Sequence, residues 1–200
     1  MIGILLAAGF SRRFGADDKL MQRLPDGRTM AVAAAQPMVD ALPCCIAVVR
    51  AENPSLADAL KALGMHVVYC RHSAKVMADS LVTGVQHAGG LQSDNKGFVI
   101  ALADMPYISA QTIGAVANEV MLGADIVQPT YQGQRGHPVG FSSKYQEDLL
   151  RLKGDEGARS IIQQHKEQLK LLPCDDAGIL ADIDTPADLM LFNQTAISNP

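Results

Sequence analysis

Short apolar stretches alternate with helix-like stretches along the first two thirds of the chain. Continuous apolar runs predict strands covered on both faces, and they lie at 2–7, 44–49, 66–70, 97–103 and 125–128. Helical patterns lie between these runs, at 31–41, after Asn53, at 79–87, and from Ser109 to about residue 121. Strands that alternate with helices are typical of a mainly parallel sheet with helices on both faces.

Helix boundary signals support these assignments. Asn53 followed by Pro54 is a typical helix start, and Gly64 is expected to end that helix. Ser109 is expected to cap the helix that runs to about residue 121, and Gly123 is expected to end that helix. Pro37 is expected to kink the helix at 31–41 or to end its first part, because proline lacks the amide that a helix interior needs.

The second half of the chain is less regular. We predict a polar loop at 132–138, a short antiparallel strand at 139–142, helices at 143–152 and 158–168, strands at 169–172 and 179–183, and a last helix at 186–193 capped by Thr185. No linker or repeat divides the chain. We therefore expect one α/β domain over residues 1–195, with three layers and a mainly parallel, mixed and twisted sheet. Residues 196–200 are expected to be a frayed tail.

Composition narrows the function classes. The 200 residues are 48% hydrophobic, which excludes a disordered chain, and the net charge of −4 argues against general nucleic-acid binding. The longest clean apolar run, 2–10, is too short to span a membrane, and we expect no signal peptide because a strand begins at residue 2. The four cysteines have no CxxC spacing, so reduced thiols in a cytoplasmic protein are expected.

Ligands of open parallel sheets bind beyond the carboxyl ends of the strands, so the loop after the first strand is a candidate site. This loop, 6–19, is rich in small residues whose amides can surround an anion, and Arg13 and Lys19 add positive charge. A nucleotide triphosphate fits it, although a solvated loop with incidental charges is the alternative. The loop is neither the Walker pattern nor GxGxxG, so a dinucleotide-dependent oxidoreductase is disfavoured.

Carboxylates follow two other predicted elements. Asp104 ends the strand at 97–103, and Asp182 and Asp184 would share one face of an extended segment. Carboxylates at strand ends suit Mg²⁺, which binds one or two of them together with phosphate oxygens. Asp104 as a turn cap, and Asp184 or Thr185 as a helix cap, are the structural alternatives.

The motif LAAGFSRRFG followed by Lys19 resembles the LAAGxSxRMG…K signature of the GT-A-like nucleotidyltransferases. ALADMPYI resembles the LxDxP element of that family, and DIDTP resembles its element before the final helix. The resemblance implies a GT-A-like fold, and it implies that Asp104 binds Mg²⁺ with Asp182 or Asp184, Asp182 being slightly preferred. It also implies that the first loop binds the nucleotide, through Leu6, Ala7, Ala8, Gly9, Ser11, Arg13 and Lys19.

Three further motifs resemble the molybdenum cofactor cytidylyltransferase branch of the MobA-like group. They are RGHPVGF at 135–141, LKGDEGAR at 152–159 and MADSL at 77–81. The resemblance implies transfer of CMP from CTP to a molybdopterin-type cofactor, with a molybdenum hydroxylase or its accessory protein as recipient. It implies Arg13, Lys19 and Asp104 as catalytic residues, Ser80 and Asp104 as additional nucleotide contacts, and His137, Asp155 and Arg159 as acceptor contacts.

Alternatives to these roles remain at the level of the sequence. His137 precedes a proline and would also suit a turn, and Asp155 and Arg159 have the spacing of a plain helical ion pair. A related nucleotidyltransferase that uses GTP or another phosphate acceptor is the nearest rival function. Ala8 favours a pyrimidine base, but a single methyl group discriminates by only about 1–3 kcal/mol. A non-catalytic carrier of the molybdenum cofactor is the rival from a different class.

Overall fold

A computed structural model of the chain describes residues 1–9, 18–70, 77–91, 94–154, 157–185 and 187–190. The strands within these residues are β1 (Ile2–Ala7), β2 (Cys45–Val49), β3 (His66–Tyr69), β4 (Gly97–Leu102), β5 (Ile126–Tyr131), β6 (Gln134–Arg135), β7 (Val139–Ser142) and β8 (Leu169–Pro173). The α-helices are α1 (Met30–Ala41), α2 (Pro54–Ala62), α3 (Met77–Leu91), α4 (Ala110–Met121), α5 (Gln146–Leu150) and α6 (Arg159–Gln164). Short 3₁₀ helices occupy Lys19–Met21, Ser143–Tyr145, Lys166–Gln168 and Ala177–Leu180.

The described strands form one mixed sheet in the order β3-β2-β1-β4-β7-β5-β6, and β8 pairs with β5. The pairs β1–β2, β2–β3, β1–β4 and β5–β8 are parallel. Strand β7 is antiparallel to both β4 and β5, as the sequence predicts for 139–142. The predicted α/β fold with a mainly parallel, mixed sheet is confirmed.

Hydrophobic cores lie on both faces of the sheet. Helices α1, α2 and α4 pack on one face, against residues such as Leu5 and Val99. Helices α3, α5 and α6 pack on the other face, against residues such as Ile4 and Phe98. Neighbouring strand residues therefore contribute to opposite cores, which explains the continuous apolar runs in the sequence. The three-layer arrangement is confirmed.

The helix signals in the sequence act as expected. The Asn53 side chain accepts a hydrogen bond from the Leu56 amide at 3.1 Å, which caps α2, and Gly64 follows that helix at φ 88°. Ser109 likewise accepts from the Thr112 amide at 3.2 Å at the start of α4. Helix α3 approaches the sheet through Gly84, where a Cβ would lie 2.7 Å from Ile4.

The structure corrects two predicted elements and excludes one of the two alternatives given for a third. Helix α1 continues through Pro37, so Pro37 does not end its first part; burial of residues on both sides of the proline holds the helix together. The predicted loop at 132–138 contains β6, which pairs back on β5 through a Gln132-Gly133 turn with positive φ at both residues. The predicted strand at 179–183 is not a strand, because 177–180 is a 3₁₀ helix and 181–184 has no ladder partner.

The chain end is described only in part. Residues 187–190 are helical, within the predicted helix at 186–193, whereas the expected tail lies outside the described residues. All four cysteines are free thiols, as predicted. None of the helices within the described residues has the length and apolar character that a membrane crossing requires.

Candidate functional site

The carboxyl ends of β1 and β4 lie side by side at one edge of the sheet. Leu6 is paired with Leu102, and the Ala103 amide donates to the Leu6 carbonyl oxygen at 3.1 Å. The start of the first loop therefore lies next to Asp104. Ala7 and Ala8 are buried, whereas Gly9 is exposed at the point where the loop leaves the sheet.

Lys19 lies between two of the predicted metal-binding carboxylates. Its ammonium nitrogen Nζ donates to Oδ2 of Asp104 at 3.0 Å and to Oδ1 of Asp184 at 2.9 Å. The residue is only 6% exposed. Burial by itself would lower the pKa of the Lys19 ammonium, but the charges and hydrogen bonds of Asp104 and Asp184 outweigh burial and raise it above its ordinary value. Lys19 is therefore a fixed positive charge at this edge.

A backbone contact brings the acidic segment after β8 to the same edge. The amide of Ile183 donates to the carbonyl oxygen of Asp104 at 3.0 Å, and the Ile183 side chain is fully buried. Asp182 is exposed and Asp184 is half-buried, so the two carboxylates flank this anchor. Although 181–184 is not a strand, it places both acids beside Asp104.

The helix that follows is capped by Thr185, as predicted. The Asp188 amide donates to the Thr185 hydroxyl oxygen at 3.2 Å, and the Thr185 amide donates to the Asp188 carboxylate at 2.7 Å. This reciprocal arrangement is a capping box. The hydroxyl and amide of Thr185 lower the pKa of Asp188 below its ordinary value. Thr185 therefore serves as the cap, which leaves the Asp184 side chain for its contact with Lys19.

The donor set at this edge fits a hard divalent cation. Among the described residues, no three His, Cys, Asp or Glu side chains converge as a metal cluster. Mg²⁺, however, usually takes one or two carboxylates and completes its shell with water and substrate phosphates. Asp104 and Asp184 are joined through one ammonium nitrogen, so they lie close enough to supply such a pair.

A cavity of about 660 Å³ opens beside the cluster. Part of its wall is apolar, formed by Leu6, Leu81, Ile100, Leu102, Val139 and Ile162. Its polar lining residues are Gln128, Arg135, His137, Arg159, Gln163 and Lys166. Among the residues that the structure describes, the lining contains two arginines and one lysine and no Asp or Glu, so this lining favours a ligand that has an apolar or planar body and anionic groups.

His137 connects the cavity to the carboxylates. Its Nδ1 atom is buried and has no hydrogen-bond partner among the residues that the structure describes. Burial lowers the pKa of His137, and the charges of Asp104 and Asp182 offset this only in part. The imidazole is therefore neutral near pH 7. A buried, unpartnered nitrogen in the wall of a cavity is suited to a ligand hydrogen bond.

Gln128 was not anticipated from the sequence. It lies on β5, is half-buried in the cavity wall, and its Nε2 donates to the Gly136 carbonyl oxygen at 3.1 Å. This bond orients the amide. Gln128 is the last residue of the strand predicted at 125–128, which was the available signal, but the sequence did not show that β5 borders the site.

Most of the predicted site residues meet at this edge, but not all can be placed. Lys19, Asp104 and Asp184 form the cluster, while Leu6, His137 and Arg159 line the cavity. Ser80 is buried in the first turn of α3 beside Leu81, and it is not among the cavity-lining residues. Ser11, Arg13 and Asp155 lie outside the described residues.

Comparison with known proteins agrees with this architecture. Residues 3–169 match the MobA-like NTP transferase domain. The chain belongs to the MobA-like NTP transferase family. The family prediction made from the loop motifs is therefore confirmed.

Individual relatives cover nearly the whole chain. The purine catabolism protein PucB of Bacillus subtilis is 30% identical over 198 residues, which are 94% of this chain and 93% of that protein. The structure of Rv0371c from Mycobacterium tuberculosis in complex with manganese has a TM-score of 0.80 at 23% identity, covering 97% of this chain and 98% of that one. A nucleotidyl transferase from Methanothermobacter thermautotroptrophicus has a TM-score of 0.82 at 18% identity, covering 100% and 98%.

Proposed function

We propose that this protein transfers CMP from CTP to the terminal phosphate of a molybdopterin-type cofactor and releases pyrophosphate. The observation that carries the proposal is the cluster of Lys19, Asp104 and Asp184 beside a cavity whose charged lining residues, within the described part of the chain, are all cationic. Such a site is suited to two anionic ligands, a nucleotide triphosphate and a phosphate acceptor. Membership of the MobA-like family supports nucleotidyl transfer, and the motifs at 135–141 and 152–159 support this acceptor.

The nucleotide is proposed to lie against the first loop. Leu6, Ala7, Ala8 and Gly9 lead into this loop at the edge that carries Lys19. Lys19 would neutralise charge on the triphosphate and on the departing pyrophosphate. Arg13, Ser11 and Ser80 are proposed as further nucleotide contacts on the resemblance alone. The methyl group of Ala8, which a glycine at this position would lack, narrows the space for the base and supports CTP over a purine nucleotide.

Asp104 and Asp184 are proposed to hold Mg²⁺, and Asp182 is the second candidate after β8. The ion would supply charge neutralisation and alignment at the α-phosphate when bound. Manganese in the related mycobacterial structure supports a divalent cation. Asp184 is now preferred over Asp182 because it shares the Lys19 ammonium with Asp104. Lys19 contacts one oxygen of each carboxylate, Oδ2 of Asp104 and Oδ1 of Asp184, so a cation would bind through the second oxygens or in exchange for a lysine contact.

The acceptor is proposed to occupy the 660 Å³ cavity. Its apolar wall suits the flat ring system of a pterin, and the amide of Gln128 and the imidazole of His137 can hydrogen-bond the ring edge. Arg159, together with Arg135 and Lys166, would attract the phosphate, and Asp155 is proposed as a further acceptor contact. The nucleophile is an anionic phosphate oxygen, so no general base is required, and positioning supplies the rate enhancement.

The direct test is Mg²⁺-dependent pyrophosphate release by the purified protein with molybdenum cofactor and CTP, GTP or ATP. We expect release with CTP only, and we expect the folded Asp104→Asn variant to lose activity by at least about a hundredfold. Release with GTP would overturn the base assignment. A protein that binds CTP and cofactor without any release would be a carrier, not an enzyme. A molybdenum hydroxylase or its accessory protein is the proposed recipient of the product, acting in the cytoplasm.

A further inference from the structure

The connection between β2 and α2 contacts both described ends of the first loop. Arg50 Nε donates to the carbonyl oxygen of Ala8 at 2.7 Å, just before the loop. Asn53 Nδ2 donates to the carboxylate of Asp18, just after it. The intervening residues 10–17 lie outside the described part of the chain. The connection between β2 and α2 therefore fixes the backbone at residue 8, before the loop, and at residue 18, after it.

The amide of Asn53 joins the N-termini of two helices. Its Oδ1 accepts from the Leu56 amide at 3.1 Å and so caps α2, while its Nδ2 is bound to Asp18. Asp18 in turn accepts from the Leu20 amide at 3.1 Å through Oδ1 and caps the 3₁₀ helix Lys19–Met21. Each of the two side chains therefore uses one atom to cap its own helix and one atom to bind the other side chain.

Lys19 is the first residue of the helix that Asp18 caps. Its ammonium reaches Asp104 and Asp184 at 3.0 and 2.9 Å although it is carried on a flexible four-carbon stem. A flexible side chain is held in one geometry most readily when its backbone is fixed. The contact between Asn53 and Asp18 supplies that fixed point, because it ties the backbone before Lys19 to the start of α2.

We propose that Asn53 is a positioning residue for Lys19, acting through Asp18. The role of Lys19 in nucleotidyl transfer rests on the function proposed above, whereas the placement of its ammonium does not. Within the described part of the chain, the Asn53 side chain contacts Asp18 and the Leu56 amide and neither Asp104 nor Asp184, so it acts on the Lys19 cation through Asp18. Replacing the amide nitrogen by oxygen removes the donor that Asp18 needs while keeping the oxygen that caps α2.

The test compares Asn53→Asp, Asp18→Asn and the double variant Asn53→Asp/Asp18→Asn. While both helix caps are kept, each single change removes the cross-contact, because it sets two carboxylate oxygens or two NH2 groups against each other. The double change restores it with reversed polarity and keeps both helix caps. We expect kcat for pyrophosphate release to fall at least about tenfold in Asn53→Asp with a smaller change in KM for CTP, and to recover to within about threefold in the double variant.

A second measurement does not depend on activity. Lys19 is buried, so it should resist acetylation by acetic anhydride, as followed by mass spectrometry, in the wild type and in the double variant. It should be acetylated several times faster in Asn53→Asp, with exposed Lys61 as the internal reference. Unchanged Lys19 acetylation in Asn53→Asp, or single and double variants that are equally impaired, would overturn the positioning role. If the wild type releases no pyrophosphate, only the proposed function fails, because the acetylation pattern still tests Asn53.

Discussion

The Lys19 ammonium lies between the carboxylates of Asp104 and Asp184 and places a positive charge at the site. The ammonium is nearly inaccessible, and Asp104 and Asp184 raise its pKa, so it stays charged through neutral pH. The motif in the first loop identified Lys19 as a phosphate contact. The contact with Asp184, at a sequence separation of 165, has no local signal in the sequence.

The two acids after β8 are expected to contribute unequally to metal binding. Asp184→Asn should weaken Mn²⁺ binding in the presence of CTP by at least about tenfold, because it removes one of the two carboxylates at the cluster. Asp182→Asn is the matched control and should change the affinity by less than about threefold, because Asp182 is exposed. Titration followed by electron paramagnetic resonance measures both. A larger loss in Asp182→Asn would reverse the assignment.

His137 is expected to make stability depend on pH. Its folded-state pKa is lowered, so the unfolded chain binds a proton more readily between the lowered value and about 6.5. Stability should therefore rise with pH through this window and be lost on acidification, by about 1.4 kcal/mol for each unit that separates the two pKa values. Urea unfolding between pH 8 and pH 5 should show a flatter profile for His137→Asn. Identical profiles would contradict the burial argument.

The segment between β8 and the last described helix contains no strand, and side-chain hydrogen bonds fix it beside the site. Asp176 accepts hydrogen bonds from the Ser109 amide and hydroxyl, at 3.0 and 2.8 Å, and from the Thr112 hydroxyl at 2.6 Å. It also accepts from the Gly178 amide at 3.0 Å. These bonds tie the segment to the start of α4, which follows the Asp104 turn. The predicted strand at 179–183 is wrong because these contacts, which the local sequence does not show, hold the segment in another conformation.

Asp176→Ala is expected to destabilise the fold by about 1–3 kcal/mol, because it leaves several donors at the start of α4 without their acceptor. Urea denaturation measures the change. Asp175→Ala is the matched control, since Asp175 is exposed, and it should change the free energy of unfolding by less than about 0.5 kcal/mol. Equal effects of the two substitutions would show that the bonds of Asp176 contribute nothing specific.

The whole molecule brings the site together at the carboxyl edge of β1 and β4. Helices on both faces leave this edge as the place where loops from distant parts of the chain meet. Strand β7 runs antiparallel to β4, so His137, which lies just before β7, is at the same edge. Strand β5 places Gln128 beside it. The cavity is thus formed by residues that the order of the strands brings together, and no single motif contains them all.

Ligand binding is expected to be cooperative at this scale. CTP with Mg²⁺ should raise the thermal unfolding midpoint more than either does alone, because the cation joins the carboxylates to the phosphates. At a concentration one hundred times the Kd the stabilisation is about 2.7 kcal/mol. Differential scanning fluorimetry measures the shift, and Asp104→Asn should lose the increment that Mg²⁺ adds. A metal-independent shift in the wild type would contradict the proposed metal site.

The sequence by itself determined the features that depend on neighbouring residues. The strand runs, the caps at Asn53, Ser109 and Thr185, and the family motifs are all local, because burial on a strand, a helix start and a loop signature each depend on a few adjacent side chains. The fold class followed from their order. The family resemblance indicated Lys19, Asp104 and the acids after β8 as site residues, because the motifs that contain them are also local.

Only the tertiary structure decided which of these residues meet. It selected Asp184 for the contact with Lys19, placed Gln128 and His137 in one cavity wall, and tied Asn53 to Asp18. It also carried α1 through Pro37, where packing against the sheet outweighs a local helix-breaking preference. Contacts between residues far apart in the chain depend on sheet order and register, which the hydrophobic pattern of a single sequence does not specify.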